Sequence, residues 1–413
     1  MTQTTNSCQY CGSALATTLV DLGLSPLSNS YVPLEKAEQP DNMYPLHARV
    51  CDNCFLVQVD DVVPANEIFN QDYAYFSSFS NSWLEHCQEF ASKSSERLNL
   101  GEGSLVVEIA SNDGYLLQYF LERGIQVLGI EPSASVAKVA QSKGIETRIE
   151  FFGEQFSKQL RQEGISPDLI CSANVLAHVP DIGDFVAGVA ALLTGDGVYT
   201  VEFPHLLNLI KLGQFDTIYH EHFTYLSLVA VDRIFSDHGL RVFDVEEVPT
   251  HGGSLRVYAC LEDASHKEQA SVEHVRAKER AANLHVVDGY LGFETRVEQI
   301  RDNLLDYLTK AKAAGKTIAG YGAAAKGNTL LNYCGIGADL ITYVVDKNPA
   351  KQDTLLPGSR IPVHGVEMLS SSPPDDILIL PWNIKNEVVA QLAELRGKGI
   401  RFVTAIPEIE IIE

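Results

Sequence analysis

Tyr219, His220, Glu221 and His222 place a phenol, two imidazoles and a carboxylate side by side in the otherwise apolar and aromatic stretch IYHEHFTYLSL. Such a set suits proton transfer. Histidine is the side chain that titrates nearest neutrality, and a carboxylate or phenol beside it can tune or relay the proton. A surface turn is the plainer reading. An H-x-H pair with Glu221 also mimics part of a metal ligand set, although no third histidine follows at regular spacing. If the segment is a strand, His220 and His222 share one side and Glu221 faces the other; in a turn that pairing lapses.

The cysteines point to a separate chemistry. Of eight, Cys8 and Cys11 form one C-x2-C pair and Cys51 and Cys54 another, with 39 residues between the pairs. Two such pairs can close a tetrahedral zinc with four thiolates and leave no position open for water, which makes the zinc structural. A short segment of strands and turns with little core of its own needs such a staple. A redox pair or free thiols is the alternative.

A third set surrounds VVEIASNDGYL. Glu108 ends a strand, and Ala110, Asn112, Asp113 and Gly114 follow in a tight turn; Glu131 stands about twenty residues on, at the end of GIEP. An acidic residue there can hold both hydroxyls of a ribose. A dinucleotide asks for several glycines around its pyrophosphate, and Ala110 and Asn112 stand where they would be. S-adenosylmethionine carries no phosphate and is cationic, so Glu108, Asn112, Asp113 and Glu131 suit it better. A carboxylate at a helix N-terminus is the alternative reading of Glu131.

The elements that must position these groups alternate. SLVVEIA, QVLGIEPS, DLICSANVLAHV and GVYTVEF read as strands separated by helices, the signature of a doubly wound parallel sheet. A smaller α/β unit follows in KTIAGYG, LITYVVD, DDILILPW and RFVTAIP. The expected organisation is a four-cysteine zinc domain over 1–70, a methyl-donor-binding domain over 71–262, a helical connector over 263–313, and a Rossmann-like domain over 314–413. In the last, GYGAAAKGN sets glycines and alanines before a helix N-terminus, with Lys326 as a point charge for a diphosphate and Lys347 and Lys351 after the next strand. A solvated lysine face beside an ordinary turn is the alternative.

Taken in order, the four cysteines, YAYFSSFS, VEIASNDGYLL, EPS, NVLAHVPD, YHEHFTYLS, THGGSLR and GYGAAAKGN resemble the sugar-nucleotide C-methyltransferases, best known as 3-C-methyltransferases of deoxysugars. The resemblance runs over essentially the whole chain. It implies a zinc-bearing N-terminal domain, a class I methyltransferase doubly wound sheet binding S-adenosylmethionine, and a C-terminal Rossmann-like domain. It implies a nucleoside-diphosphate 4-keto-deoxyhexose as substrate partner. By position in the family's Y-x-E-H-F pattern, His222 is the base that removes the proton beside the ketone; Glu221 orients or tunes, and Tyr219 donates to the developing enolate oxygen. Tyr73 and His178 match two further active-site positions. Asn174, in NVLAHV, joins the cofactor set of Glu108, Ala110, Asn112, Asp113, Gly114 and Glu131. His251, Gly252, Tyr321, Ala324, Lys326, Asn328 and Lys351 are the expected substrate contacts. His205 and His238 are expected to be structural or at the surface.

The charge narrows the partners. With 31 basic and 54 acidic residues the formal charge is −23, which repels nucleic-acid phosphates and anionic membranes. The opening MTQTTNSCQY lacks the basic and apolar regions of a signal peptide, and no apolar run reaches the ~20 residues of a membrane span, so a cytoplasmic protein is expected, as monomer or homodimer. O- or N-methylation of a sugar or other small molecule on the same scaffold is the competing activity.

Overall fold

The computed structural model describes residues 7–60, 63, 78 and 80–412, in which three sheets form. In the first, Thr17–Ser25, Tyr44–Val50 and Val57–Val59 run antiparallel. A fourth strand, Thr224–Tyr225, comes from the middle of the chain and pairs with Val57–Val59. The segment that follows His222 is therefore part of the cysteine-bearing domain's own sheet.

The central sheet has seven strands in the order Leu240–Val248, Ser254–Leu261, Val198–Pro204, Leu169–Ala173, Leu105–Ile109, Gln126–Ile130 and Thr147–Arg148. Its parallel strands are covered on both faces, which is why LVVEI and QVLGI read as apolar runs rather than alternations. Ser254–Leu261 is inserted antiparallel between Val198–Pro204 and Leu240–Val248. Helices flank the sheet and start where the sequence caps them. Ser80 accepts from Trp83 N at 3.3 Å before Asn81–Arg97, and Asp181 accepts from Asp184 N at 2.9 Å before Ile182–Leu192.

The third sheet has a parallel centre of Arg401–Thr404, Asp376–Ile379, Ile318–Tyr321, Val344–Val345 and Pro362–His364. Val32–Pro33, from the first domain, closes one edge by pairing with Thr354–Leu355. The two helices expected as a connector join different cores. Ala270–Ala281 lies on the central sheet, where the wholly buried Glu279 accepts from His205 Nε2 at 2.7 Å and from Leu228 N and Val229 N at 2.7 and 2.8 Å. His205 is thus structural, as expected. Phe293–Ala313 buries Val297, Ile300, Leu304 and Leu308 in the core shared by the first and third sheets. Among the described residues no helix is long and apolar enough to cross a membrane.

Candidate active site and metal centre

The HEH segment is a turn, closed by His222 N donating to Tyr219 O at 2.9 Å. The turn pairs the side chains differently from a strand. His220 leaves for the first domain, Nε2 lying 3.1 Å from Pro45 O, while His222 stacks on Tyr219 with ring centroids 4.1 Å apart. Glu221 also turns to the first domain, its Oε1 accepting from Asn29 Nδ2 at 2.5 Å.

His222 is held at both nitrogens. Nδ1 lies 3.0 Å from Thr217 O, an acceptor only, so Nδ1 carries the proton; Nε2 then has a lone pair, 2.8 Å from the Tyr219 hydroxyl. His178, from the turn after strand Leu169–Ala173, donates through Nδ1 to Glu221 O at 2.7 Å. Its ring meets His222 edge-on at 4.6 Å. Burial, then the neighbouring His178, holds the His222 imidazole well below the usual histidine range; the Thr217 carbonyl opposes and Lys326 adds to the effect. Burial likewise takes His178 to about 4, and burial with Lys326 takes His251 to about 4. The turn thus presents the neutral imidazole of His222, its Nε2 lone pair facing the Tyr219 hydroxyl.

His251 sits in a left-handed conformation at φ 53°, in the turn before strand Ser254–Leu261. Its buried Nδ1 has no hydrogen-bond partner among the described residues, and its ring lies edge-on to Trp83 at 5.5 Å. A strained backbone and an unpaired buried nitrogen are both features found at ligand-binding positions. Gly252 is required next to it: at φ 87° a Cβ would stand 2.4 Å from Trp382 of the third domain.

The third domain supplies the opposite wall. Lys326, in the first turn of Ala325–Tyr333, donates to Asn383 Oδ1 at 2.8 Å and lies 5.0 Å over the Trp382 ring. Burial lowers its pKa, with Asp216 pulling the other way. Asp216 accepts from Trp382 Nε1 at 2.7 Å, and burial raises its carboxyl to about 6 against the pull of Lys326. Lys351 donates to Ala323 O at 2.7 Å and lies 5.2 Å over the Tyr31 ring. Ala324 is the residue before the helix. Tyr321 and Asn328 face protein: the Tyr321 hydroxyl bonds Gln391 Oε1 at 3.1 Å, and Asn328 Nδ2 donates to Ser28 O at 2.6 Å. Tyr73 lies outside the described residues.

The residues expected from the sequence to hold the methyl donor gather at the carboxyl edge of the central sheet. Ala110, Asn112, Gly114 and Asn174 all take positive φ, which curls the backbone into an open turn. Glu131 accepts from Asn112 N at 3.0 Å and from Ser133 N at 2.7 Å, leaving each oxygen a second lone pair. It is both the carboxylate at a helix start and an acceptor at the turn. Burial raises its pKa, and those two amides oppose. Asp113 is fixed by Ser78 Oγ and by Lys143 at 3.6 Å. Asn174 Oδ1 and Asp113 Oδ1 are buried without partners among the described residues. Unpaired acceptors around a phosphate-free turn fit a cationic nucleoside such as S-adenosylmethionine. Glu108 lies underneath, fully buried, its pKa pushed well up by burial.

Cys8, Cys11, Cys51 and Cys54 place all four Sγ atoms within 4.8 Å of one another, with Cys8–Cys54 at 3.6 Å and Cys11–Cys51 at 3.5 Å. A tetrahedral zinc with bonds of about 2.3 Å requires sulfurs roughly 3.8 Å apart, so the set fits. Gln58 Nε2 donates to Cys8 Sγ at 3.2 Å and Asn53 Nδ2 to Cys11 Sγ at 3.6 Å, as a thiolate cage favours.

Several residues at the site escaped the sequence reading. Glu202, at the end of Val198–Pro204, binds His86 at 2.8 Å, Arg256 at 2.8 Å and Thr250 at 2.7 Å beneath His251. Burial works against it, yet His86 and Arg256 hold its carboxyl down to about 2. Trp83, Trp382 and Asn29 are the others. A tryptophan closing DDILILPW, in a chain with only two, was the available signal for Trp382.

Against known protein families, residues 8–69 match a putative zinc binding domain, 83–245 a methyltransferase domain, and 249–407 a C-methyltransferase C-terminal domain. The C-methyltransferase NovU of Streptomyces niveus is 35% identical over 407 residues, covering 98% of this chain and 97% of NovU. A ubiquinone biosynthesis O-methyltransferase of Rhodopseudomonas palustris (strain TIE-1) is 28% identical over 119 residues, 28% of this chain and 45% of that enzyme. Among solved structures, magnesium protoporphyrin IX methyltransferase (ChlM) from Synechocystis PCC 6803 with bound SAH aligns with a TM-score of 0.35 and 18% identity over 43% of this chain and 82% of that one.

Proposed function

We propose, from the premise that this chain belongs to the C-methyltransferase family and uses S-adenosylmethionine, that its acceptor is a nucleoside-diphosphate 4-keto-deoxyhexose, methylated at C3 beside the ketone. The observation that carries the reading is the neutral His222, its Nε2 lone pair in the same cluster as Lys326 and His251. A carbon acceptor needs a base to remove its proton, whereas a hydroxyl or amine is already nucleophilic. The ketone acidifies the neighbouring carbon, and a nucleotide's diphosphate is matched by Lys326 at a helix start, with Lys351 bound to Ala323 O of the preceding turn.

S-adenosylmethionine, when bound, supplies an electrophilic methyl group. The chain's own groups handle the proton. The Tyr219 hydroxyl first turns from Nε2 to the ketone oxygen at C4, which frees the single Nε2 lone pair. His222 Nε2 then takes the C3 proton while Nδ1–H stays on Thr217 O, and the electron pair of the broken C–H bond moves into the enolate, whose oxygen Tyr219 holds. His178 braces the turn from the other side through Glu221 O. The diphosphate also offsets Lys326, whose charge helps to keep His222 acidic, so substrate binding itself raises the basicity of the base.

Two results check this. The product, heavier by one methylene, carries its new methyl on C3 by NMR; a methyl on oxygen or nitrogen overturns the reading. In the free enzyme, the depressed imidazoles remain unprotonated as pH falls through 6.5, so no histidine limb in kcat/KM falls there, and the rate declines at lower pH where the Glu221 carboxylate and His222 gain their protons. An inflection at or above the ordinary histidine value contradicts this assignment of the base.

A further inference from the structure

Glu221 lies next to the base in sequence, yet its carboxylate touches neither His222 nor Tyr219. It lies against a loop of the zinc-binding domain, where Asn29 Nδ2 donates to Oε1 at 2.5 Å. That loop is fastened to the third domain on both sides of Asn29. Ser28 O accepts from Asn328 Nδ2 at 2.6 Å, the Tyr31 hydroxyl donates to Ala323 O, and Val32–Pro33 pairs with Thr354–Leu355. Ala323 O also accepts from Lys351 at 2.7 Å. Glu221 is gripped at its other end too, since its backbone oxygen holds His178.

We propose that Asn29 is a positioning residue of the methyl transfer: it fixes the Glu221 carboxylate, and with it the Tyr219–His222 turn, to the strap Ser28–Pro33 that also clamps the nucleotide loop. The proposal rests on the reading of that turn as the catalytic one. It gives the zinc-binding domain a task beyond stability, because one strap sets both the loop that receives the nucleotide and the turn that carries the base.

The groups facing Glu221 are Asn29 and Tyr31 on the strap, Lys351 on the third domain with Asp346 behind it, and His178 on its own main chain. Burial raises the Glu221 carboxyl, while Asn29 first and Lys351 second hold it down. Its ionised form accepts from Asn29, so that arrangement holds above the carboxyl's pKa and is lost as pH falls through it. Removing the donor moves the loss to higher pH.

Asn29→Ala is tested on the wild-type enzyme's substrate, with zinc content and melting temperature as the check on folding. Asn29 is exposed on the described surface, so little packing depends on it. The expected result is a kcat about tenfold lower, KM nearly unchanged, and an acid limb of the rate profile moved up by about one pH unit. Asn29→Asp, equal in shape, moves the limb further, since two carboxylates at hydrogen-bond distance share a proton. A limb that stays in place in both variants overturns the proposal, even where kcat falls, because a merely structural role lowers the rate without moving it. Should the wild type turn over no nucleotide sugar, the substrate reading fails separately. The Glu221 carboxyl titration, followed by carbon-13 NMR and identified by its loss in Glu221→Gln, then decides. Titration at higher pH in Asn29→Ala upholds the proposal, and an unchanged titration overturns it.

Discussion

Cys51→Ser, or removal of zinc by a chelator, abolishes methyl transfer and unfolds the first domain, although the thiolates make no contact with the catalytic turn. Structural zinc contributes on the order of 10 kcal/mol to the folding of a small domain, more than the short sheet over 17–59 can replace. The consequence reaches the active site through pairing. Thr224–Tyr225, two residues after His222, is held in place by Val57–Val59. His220 is held by Pro45 O and Glu221 by Asn29, all in the same domain. Without the metal, three of the turn's anchors go together. Cys8, Cys51 and Cys54 belong to the same buried cluster as the central sheet's core, so the melting transition shifts for the whole chain. Zinc content, circular dichroism and turnover check this together. A zinc-free protein with full activity would show that the four cysteines serve another purpose.

His222→Ala carries the second large effect. Removing a general base costs about 10²–10⁴-fold in rate. His220 and Glu221 are turned to the first domain, and His178 braces the turn through Glu221 O, so whatever turnover remains is assigned to His178 as the nearest imidazole. The substitution leaves Tyr219 stacked on open space and frees Thr217 O, a local change at a partly exposed position, so melting temperature and S-adenosylmethionine binding stay near wild type. Calorimetric titration of the donor beside the turnover assay separates the two. Normal turnover in this variant would remove His222 from the mechanism.

Much of this was legible in the chain. Parallel strands buried on both faces read as apolar runs, so LVVEI, QVLGI and LICSA announce the central sheet. Two C-x2-C pairs suit a tetrahedral metal better than a redox pair or free thiols, and the sulfurs converge accordingly. What was not legible depends on closure between distant segments. Asn29 and Glu221 are 192 positions apart, and Trp382 reaches Asp216 across 166. Two-residue strands such as Thr224–Tyr225 and Val32–Pro33 carry no periodicity, so nothing in the sequence says that the first domain shares its sheet with the catalytic turn and lends an edge to the third. Glu221 looked like a partner for the base; the turn's geometry sends it to Asn29 instead. The THGGSLR motif gives no sign that the Arg256 guanidinium lies under its turn on Glu202.

The central claim is that the chain makes a carbanion beside a ketone before any methyl moves. The most direct measurement incubates the enzyme in deuterium oxide with S-adenosylhomocysteine and a nucleoside-diphosphate 4-keto-6-deoxyhexose, then weighs the recovered sugar. The account predicts deuterium at the carbon beside the ketone with wild type and none with His222→Ala. A sugar that the wild type methylates in the presence of S-adenosylmethionine, yet that takes up no deuterium here and keeps every carbon-bound hydrogen in its product, would contradict it.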